Sequence, residues 1–381
     1  MFLLLTSWRM LIHNRGRLVL SCLSVAFAVV IMFMQMGFFN GLRDSQANLA
    51  RFLDADLVMS HRDKDNLKSQ EEFSRKRLRQ ALAVDGVAAA TWLYTRPSYW
   101  WNPQDGSRNR LLVLAVDPDH PALNLPEVEV YRQALKRPNT ILYDRLSRRE
   151  LGRVEPGTRS TLGAAEVEVV GLFDLGANFS YEGHAITSFE TYYRISGRRD
   201  PAALVDNISL GLLKLSPGAD AEAVRRHLLA ELPGDITVLA RDVIEAREKT
   251  YTTRATPAGV IFGVGLVVAL AIGVIICYQL LFNEIQDHLR QFATLKAIGY
   301  RALHLYVIVV GESLMLSMLG FVPGLVTSMA LYRGVDRLSE IVMDFTVARI
   351  LFILVLTLLM GMASATLAVR QVIRADPADL F

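Results

Sequence analysis

The sequence predicts a membrane protein: four transmembrane helices, with a mixed α/β domain inserted between the first and the second. Three observations lead there. The 381 residues are 52% hydrophobic yet 21% charged, with mean hydropathy +0.28, averages that fit neither an ordinary soluble chain nor one lying wholly in a bilayer. The apolar residues are segregated: charge-free runs occupy Leu18–Leu42, Ala255–Asn283 and Ile350–Val369, and Leu305–Tyr332 holds one charge, Glu312. Crossing about 30 Å of hydrocarbon takes about 20 apolar residues at about 1.5 Å rise, and each run is long enough. Finally, roughly 210 polar residues separate the first two runs, enough for one or two folded domains.

Element by element, residues 1–17 mix Phe2, Leu5, Trp8 and Leu11 with Arg9, Arg15 and Arg17, the composition of a helix lying along headgroups. A signal peptide fits less well, because the apolar run that follows exceeds the 7–15 residues of an h-region. Residues 18–40 form the first span. The arginines before it favour a cytoplasmic N-terminus, and Arg290, Lys296, Arg301, Arg370 and Arg374 agree, while Arg333, Arg337 and Arg349 pull the other way.

Residues 41–256 are then extracytoplasmic. Leu42–Leu53 extends span one and Ala240–Arg254 leads into span two, expected as one helix continuous from Ala240 through the membrane, and the two extensions make a stalk. Between them, strands are expected at Asp56–Ser60, Val87–Tyr94, Arg110–Val116, Thr140–Tyr143, Val167–Phe173, Ile208–Leu215 and Ile236–Leu239, and helices at Gln70–Ala83, Glu127–Leu135 and Asp220–Glu231. Alternation of this kind gives a mixed α/β fold. Span two is 257–283, followed by a cytoplasmic segment, 284–304. Span three (305–332), a short external loop (333–348), span four (349–370) and a cytoplasmic tail (371–381) complete the chain.

The segment after span two keeps a helical period. Ile285, Leu289, Phe292 and the Lys296 stem share one side, and Asp287, Arg290, Gln291 and Thr294 the other. A helix leaving the membrane with an apolar face unsatisfied is suited to a groove on a soluble partner, and Gly299 falls where a helix C-cap is expected. Small residues four apart, Gly259 with Gly263 and Gly320 with Gly324, permit close helix approach, either inside the bundle or between copies. Glu312 is the one intramembrane acid, read either as a proton relay or as a structural pairing near Arg301 and His304.

Signatures of chemistry are missing from the sequence, so no catalytic or metal-binding residue is assigned. No Gly-Lys dipeptide and no His-Glu-x-x-His occurs. Asp117-Pro118-Asp119-His120 is read as a turn rather than a metal cluster, and the run Arg145–Arg153, interleaved with acids, as a solvated helix face. A net charge of +3 argues against nucleic acid. The two cysteines, Cys22 and Cys277, lie in spans and leave the large loop without disulfides.

Glu284, Arg290 and Phe292-Ala293-Thr294-Leu295-Lys296-Ala297-Ile298-Gly299-Tyr300 resemble the segment after the second span of FtsX/MacB-type ABC permeases. Gly311-Glu312-Ser313-Leu314 with Gly320 and Gly324, and Pro377-Ala378-Asp379-Leu380, resemble that family's third span and C-terminal ending. Trp8-Arg9-Met10-Leu11, Asp54-Ala55-Asp56-Leu57 and Phe173-Asp174-Leu175-Gly176-Ala177-Asn178-Phe179 look more narrowly like DevC-type permeases. The resemblance implies an FtsX-like domain over 257–381 and a MacB-like periplasmic core. It implies a homodimeric, non-enzymatic subunit of an inner-membrane efflux machine, both termini cytoplasmic. A separate ABC ATPase would bind ATP and Mg, so no cofactor is expected in this chain. That ATPase would be coupled through Glu284, Leu289, Arg290, Phe292, Leu295, Lys296, Ala297, Ile298 and Gly299. Motion would pass up the stalk to the periplasmic domain, a membrane fusion protein and a TolC-like outer-membrane channel. A regulator of a cell-wall hydrolase and a lipoprotein-release permease are the alternatives within the same resemblance.

Overall fold

The computed structural model describes residues 15–120, 122–197, 206–287, 294, 298, 302–339 and 345–374. The chain divides into two compact units, one of Met1–Gly41, Val260–Leu338 and Val342–Phe381, the other of Leu42–Gly259 with Ser339–Ile341.

The first unit is built of long helices. Helix α1 (Arg15–Phe52) enters it from the N-terminal side, and its remaining helices follow the α/β elements in chain order. Segments long and apolar enough to cross a membrane are Leu18–Phe52, Pro257–Asn283, Leu303–Val335 and Val347–Val369. The bundle is tied by small residues and hydroxyls, as expected where helices gain nothing from excluding water from one another. Ser313 Oγ donates to the Gly361 carbonyl (2.8 Å), Ser364 Oγ to the Val274 carbonyl (2.9 Å), and Tyr332 Oη to the Phe33 carbonyl. Phe38 stacks on Phe262 with ring centroids 5.6 Å apart.

The second unit opens with the last turns of α1. It continues through β1 (Leu57–His61), β2 (Phe73–Ser74), α2 (Lys76–Leu82), β3 (Val87–Trp101), β4 (Arg108–Val116), α3 (Pro126–Val130), α4 (Arg132–Leu135) and β5 (Thr140–Asp144). Then come β6 (Arg159–Leu162), β7 (Ala165–Phe173), β8 (Gly183–Ser188), α5 (Phe189–Ser196), β9 (Asn207–Ile208), β10 (Leu210–Leu215), α6 (Ala221–Glu231), β11 (Ile236–Ala240) and α7 (Arg241–Ala255). Nine strands form one sheet in the order β11-β1-β10-β3-β4-β8-β5-β7-β6. Strand β3 spans two parts: Val87–Leu93 pairs with β10 and Tyr94–Trp101 with β4. The sheet curls until β6 meets β3 again at Leu162 and Trp100. Pairing is antiparallel except for β4 with β8 and β5 with β7. Because side chains alternate along a strand, β3 and β4 feed two cores. Tyr94, Trp100, Leu111 and Val113 fill one, and Leu93, Leu112 and Leu114 the other.

Four expectations change. Helix Gln70–Ala83 shrinks to α2, because Phe73 is buried and Phe73–Ser74 pair with Asn207–Ile208 as a two-stranded sheet. Helix Glu127–Leu135 breaks at Tyr131 (φ −97°, ψ 15°) into α3 and α4. The basic run Arg145–Arg153 holds one 3₁₀ turn, Arg149–Leu151, ended by Gly152 at φ 89°; its position is fixed by the Trp100 indole, which donates to the Leu151 carbonyl (3.0 Å). The fourth concerns the helix leading into span two. It stops at Thr256, which is extended (φ −102°, ψ 139°), and α8 (Pro257–Asp287) begins afresh. Proline has no N–H for the ladder and pushes its predecessor out of the helical region. Pro257 is instead at home in the first turn of α8, where the Thr256 hydroxyl accepts from the Gly259 N–H (3.2 Å), an N-cap.

Candidate functional site where two helices meet the α/β unit

Helix α1 does not merely touch the α/β unit; its last turns form part of the core. Leu49, Ala50 and Leu53 are buried with Leu67, Phe173, Leu175, Tyr181 and, from α7, Ile244. The stripe Leu42, Gln46, Leu49, Ala50, Leu53 has the 3-4 spacing of a buried helix face, and the one polar residue in it carries bonds. Gln46 Nε2 donates to Ser180 Oγ (2.9 Å), and Asn48 Nδ2 reaches the Leu175 carbonyl (3.4 Å). Thus the loop 174–181 is seated on α1.

That loop is held from its other side by a buried carboxylate. Asp144 accepts the backbone N–H groups of Leu146 (3.1 Å), Leu175 (3.1 Å) and Gly176 (2.9 Å), and His184 Nδ1 lies 3.1 Å from its Oδ2. Asn178 Oδ1 accepts from Ser180 N–H (2.8 Å) and Tyr181 N–H (2.9 Å). Several charge-assisted bonds on one carboxylate fix a loop far better than a neutral contact.

A second tie is the segment 64–69, which bonds to both helices and to the sheet. Lys68 Nζ donates to the Gln46 carbonyl (3.1 Å) and to Gln46 Oε1. The Leu67 N–H donates to Glu248 Oε1 (2.8 Å) on α7, and Arg247 to the Lys64 carbonyl (2.6 Å). Thr95 of β3 donates from Oγ1 to the Leu67 carbonyl (3.0 Å). Lys64, Lys68 and Glu248 are all buried. Burial lowers both lysines to about 8, against the pull of Glu71, Glu72 and Glu248 on Lys64 and of Glu248 on Lys68, and burial raises Glu248, against the pull of Lys68. At the rim, Arg51 Nε (2.9 Å) and Lys249 Nζ (2.7 Å) share Glu245 Oε1, joining α1 to α7 once more.

These ties were not singled out from the sequence, although a signal existed. Ile244, Glu248 and Thr252 lie four apart on the buried face of α7, and an acid inside such a stripe marks a buried, partnered charge. The residues that were singled out are distributed differently. Glu284 lies within α8. Leu289, Arg290, Phe292, Leu295, Lys296, Ala297 and Gly299 lie outside the described residues. Ile298 is 72% exposed and its N–H donates to the Thr294 carbonyl (3.0 Å). Ile285, expected to face a soluble partner, is 2% exposed, packed with Leu281, Leu305, Ile308 and Val369. It belongs to the bundle's own core, because α9 (Ala302–Ser339) and α10 (Val347–Arg374) cover that face. Glu312 is buried.

The glycines separate. A Cβ on Gly320 would sit 2.5 Å from Val25 Cβ, and one on Gly324 2.8 Å from Val29 Cβ, with the carbonyls of Cys22 and Ala26 at 3.0 Å. This pair therefore brings α9 against α1 within one chain. A Cβ on Gly263 would make only an ordinary contact with Phe39 (3.6 Å), whereas one on Gly259 would collide with the Thr252 carbonyl and the Thr253 backbone at the helix break. The turn reading of Asp117–His120 holds: the Asp117 carbonyl accepts from His120 N–H (3.2 Å). Among the described residues no group of His, Cys, Asp and Glu could hold a metal ion.

With this geometry in place, comparison with known proteins adds one firm point. Residues 263–377 match the FtsX-like permease C-terminal family. That stretch begins inside α8 and takes in α9 and α10. No curated protein matches significantly. Among solved structures, the periplasmic region of MacB from Actinobacillus actinomycetemcomitans aligns over 51% of this chain and 92% of its own (9% identity, TM-score 0.36). The extracellular domain of the noncanonic ABC-type transporter YknZ from Gram-positive bacteria aligns over 48% and 98% (12%, 0.33). A domain of a putative permease protein from Porphyromonas gingivalis aligns over 50% and 88% (15%, 0.31). Identities this low with TM-scores below 0.5 carry no argument of their own.

Proposed function

We propose that the chain is the membrane subunit of an ABC-type system that works by transmitting force rather than by opening a conduit. A separate ATPase would grip the segment after α8, with Phe292 and Leu295 as apolar anchors and Arg290 and Lys296 beside them. Two copies would bring two such segments to two ATPases, with both termini cytoplasmic and the α/β unit across the inner membrane. There the unit would pass cargo toward a membrane fusion protein and an outer-membrane channel.

The observation that carries this reading is the seating of α1. A helix whose end is sunk in a core and tied by Gln46, Asn48 and Lys68 passes a displacement on, because packed interiors shift between discrete arrangements rather than deforming smoothly. A loosely hinged domain would absorb it. The FtsX-like match over 263–377 supports the same class of machine.

The test is association. Tagged full-length chain purified from its native membranes is expected to carry ATP hydrolysis with it. Phe292→Asp or Leu295→Asp is expected to weaken that association by about 2 kcal/mol, roughly thirtyfold, since a charge replaces an interface anchor. Membrane insertion and yield should be unchanged. Equal ATPase recovery on both variants removes the coupling role.

A further inference from the structure

A cavity of about 480 Å³ opens in the α/β unit between α2, the start of β3 and the Asp117–His120 turn. Its volume falls in the range of small-molecule sites, about 300–1,000 Å³. The floor is rigid. Trp92 is buried, set edge-on against Tyr94 and Phe189 with centroids 5.1 and 6.1 Å away. The turn is pinned to β3 by Thr91 Oγ1, which donates to the His120 carbonyl (2.9 Å).

The walls combine apolar and cationic surface in a way the fold does not require. Leu78 and Leu82 face the cavity from α2, and Leu82 is 48% exposed, a large aliphatic side chain left in the open. Arg75 lines the cavity with its guanidinium over the Trp92 ring, 5.4 Å from the centroid. Arg77 is committed elsewhere, to Asp235 (3.6 Å) and Gln80. Lys76 and Arg79 both line the cavity, and neither has an ion pair among the described residues. Of the two carboxylates present, Asp117 is already engaged by the Asp119 N–H (3.0 Å) and by His120 Nδ1 (3.3 Å). Asp206 is the other. The cations outnumber the carboxylates left to neutralise them, beside an apolar strip.

We propose that this cavity binds an anionic amphiphile: a phosphate or carboxylate head held by Arg75, Lys76 and Arg79, and a short apolar portion laid along Leu78, Leu82 and the edge of Trp92. Arginine suits such a head because its planar donors match oxyanion geometry. None of the cavity's lining residues belongs to the α1 and α7 ties, so the proposal does not depend on the transport reading.

Calorimetric titration of the full chain in phosphatidylcholine nanodiscs tests it, with hexyl phosphate, inorganic phosphate and hexyl glucoside as probes. Hexyl phosphate is expected to bind saturably, and the other two about tenfold more weakly. Lys76→Gln with Arg79→Gln, both exposed positions, should weaken hexyl phosphate about tenfold while leaving the thermal unfolding midpoint unchanged. Leu82→Gln should erase the advantage of hexyl phosphate over inorganic phosphate. Absence of saturable hexyl phosphate binding overturns the proposal, as does binding that the double variant leaves intact. Equal affinity for inorganic phosphate replaces the amphiphile with a plain anion site, and equal affinity for hexyl glucoside denies the cationic wall any role.

Discussion

The α/β unit is flanked by two helical arms, and they are built on opposite principles. Helix α1 runs unbroken from Arg15 to Phe52 and ends inside a core. The other arm, α7 followed by α8, is interrupted at Thr256 and Pro257, and Gly259 packs its backbone against the end of α7. One arm, here termed the strut, is a single helix, and the other has a joint in its helical hydrogen-bonding at Thr256. The difference is written in composition: the α1 stretch from Leu42 to Phe52 contains neither proline nor a cap, whereas Thr256-Pro257 supplies both a stop and a start.

The largest expected effect comes from breaking the tie that both arms share. Glu248→Leu leaves Lys68 buried without its counter-charge and strands the Leu67 N–H, a loss of about 3–5 kcal/mol. Unfolding of the full chain, followed by heat or denaturant, measures it. A change below 1 kcal/mol, on the order of a surface pair, would mean that the strap does not hold the arms together. Next, Gly320→Val attacks the strut alone. Its Cβ meets the stiff Val25 side chain and the Cys22 carbonyl, so overpacking of about 1–3 kcal/mol is expected, read as a shorter half-life in detergent at fixed temperature. A variant that keeps its stability but loses association between copies would place this glycine at a subunit contact instead.

Much of this architecture was legible because its signals are long or local. Four apolar runs announce themselves by length, the strand expected at Arg110–Val116 by an unbroken apolar stretch, and the one expected at Val167–Phe173 by its alternation. Strand β8 did not, since Gly183-His184-Ala185-Ile186-Thr187-Ser188 reads as polar; it is buried because Asp144 takes up His184 and because β4 and β5 pair on either side of it. The break at Thr256 was available in the residues, but the apolar run spreads across it and masks the proline. Helical period puts Ile285 on an apolar face with Leu289 and Phe292 without saying what covers that face. Ile285 shows the cost of that gap, because α9 and α10 already cover it. The strap from Lys64 to Ser69 depends on residues some 180 positions away, and no local pattern encodes such a pairing.

A milder handle on the strap is pH. Lys64 and Lys68 have folded values of about 8 against 10.5 for the free side chain. Below 8 both states carry the proton and the burial cost is fully present. Between 8 and 10.5 the unfolded chain binds more protons, so stability climbs with pH. Glu248 acts oppositely in the acid range: with its pKa raised above 4.5, its contribution is greatest at low pH and is lost as pH rises through the folded value. Glu71, Glu72 and Arg247 face the same cluster and shift these windows without reversing the signs. Unfolding midpoints are therefore expected to rise between pH 8 and 10, and to rise less in Lys68→Met. An identical rise in the variant would assign the effect elsewhere.

The smallest stability change belongs to the joint and is the most informative about the comparison. Pro257→Ala restores an N–H and lifts the restriction on Thr256, so α7 and α8 are free to join into one helix. The stability change is expected to stay within about 1 kcal/mol, since the unfolded chain also gains freedom. The difference should appear in hydrogen exchange, as new protection at residues 255–260, and in function, as a jointed arm converted to a second strut. If that variant closes the joint yet leaves ATP turnover by the proposed complex unchanged, the interruption is a detail of helix capping, and the asymmetry between the two arms has no mechanical meaning.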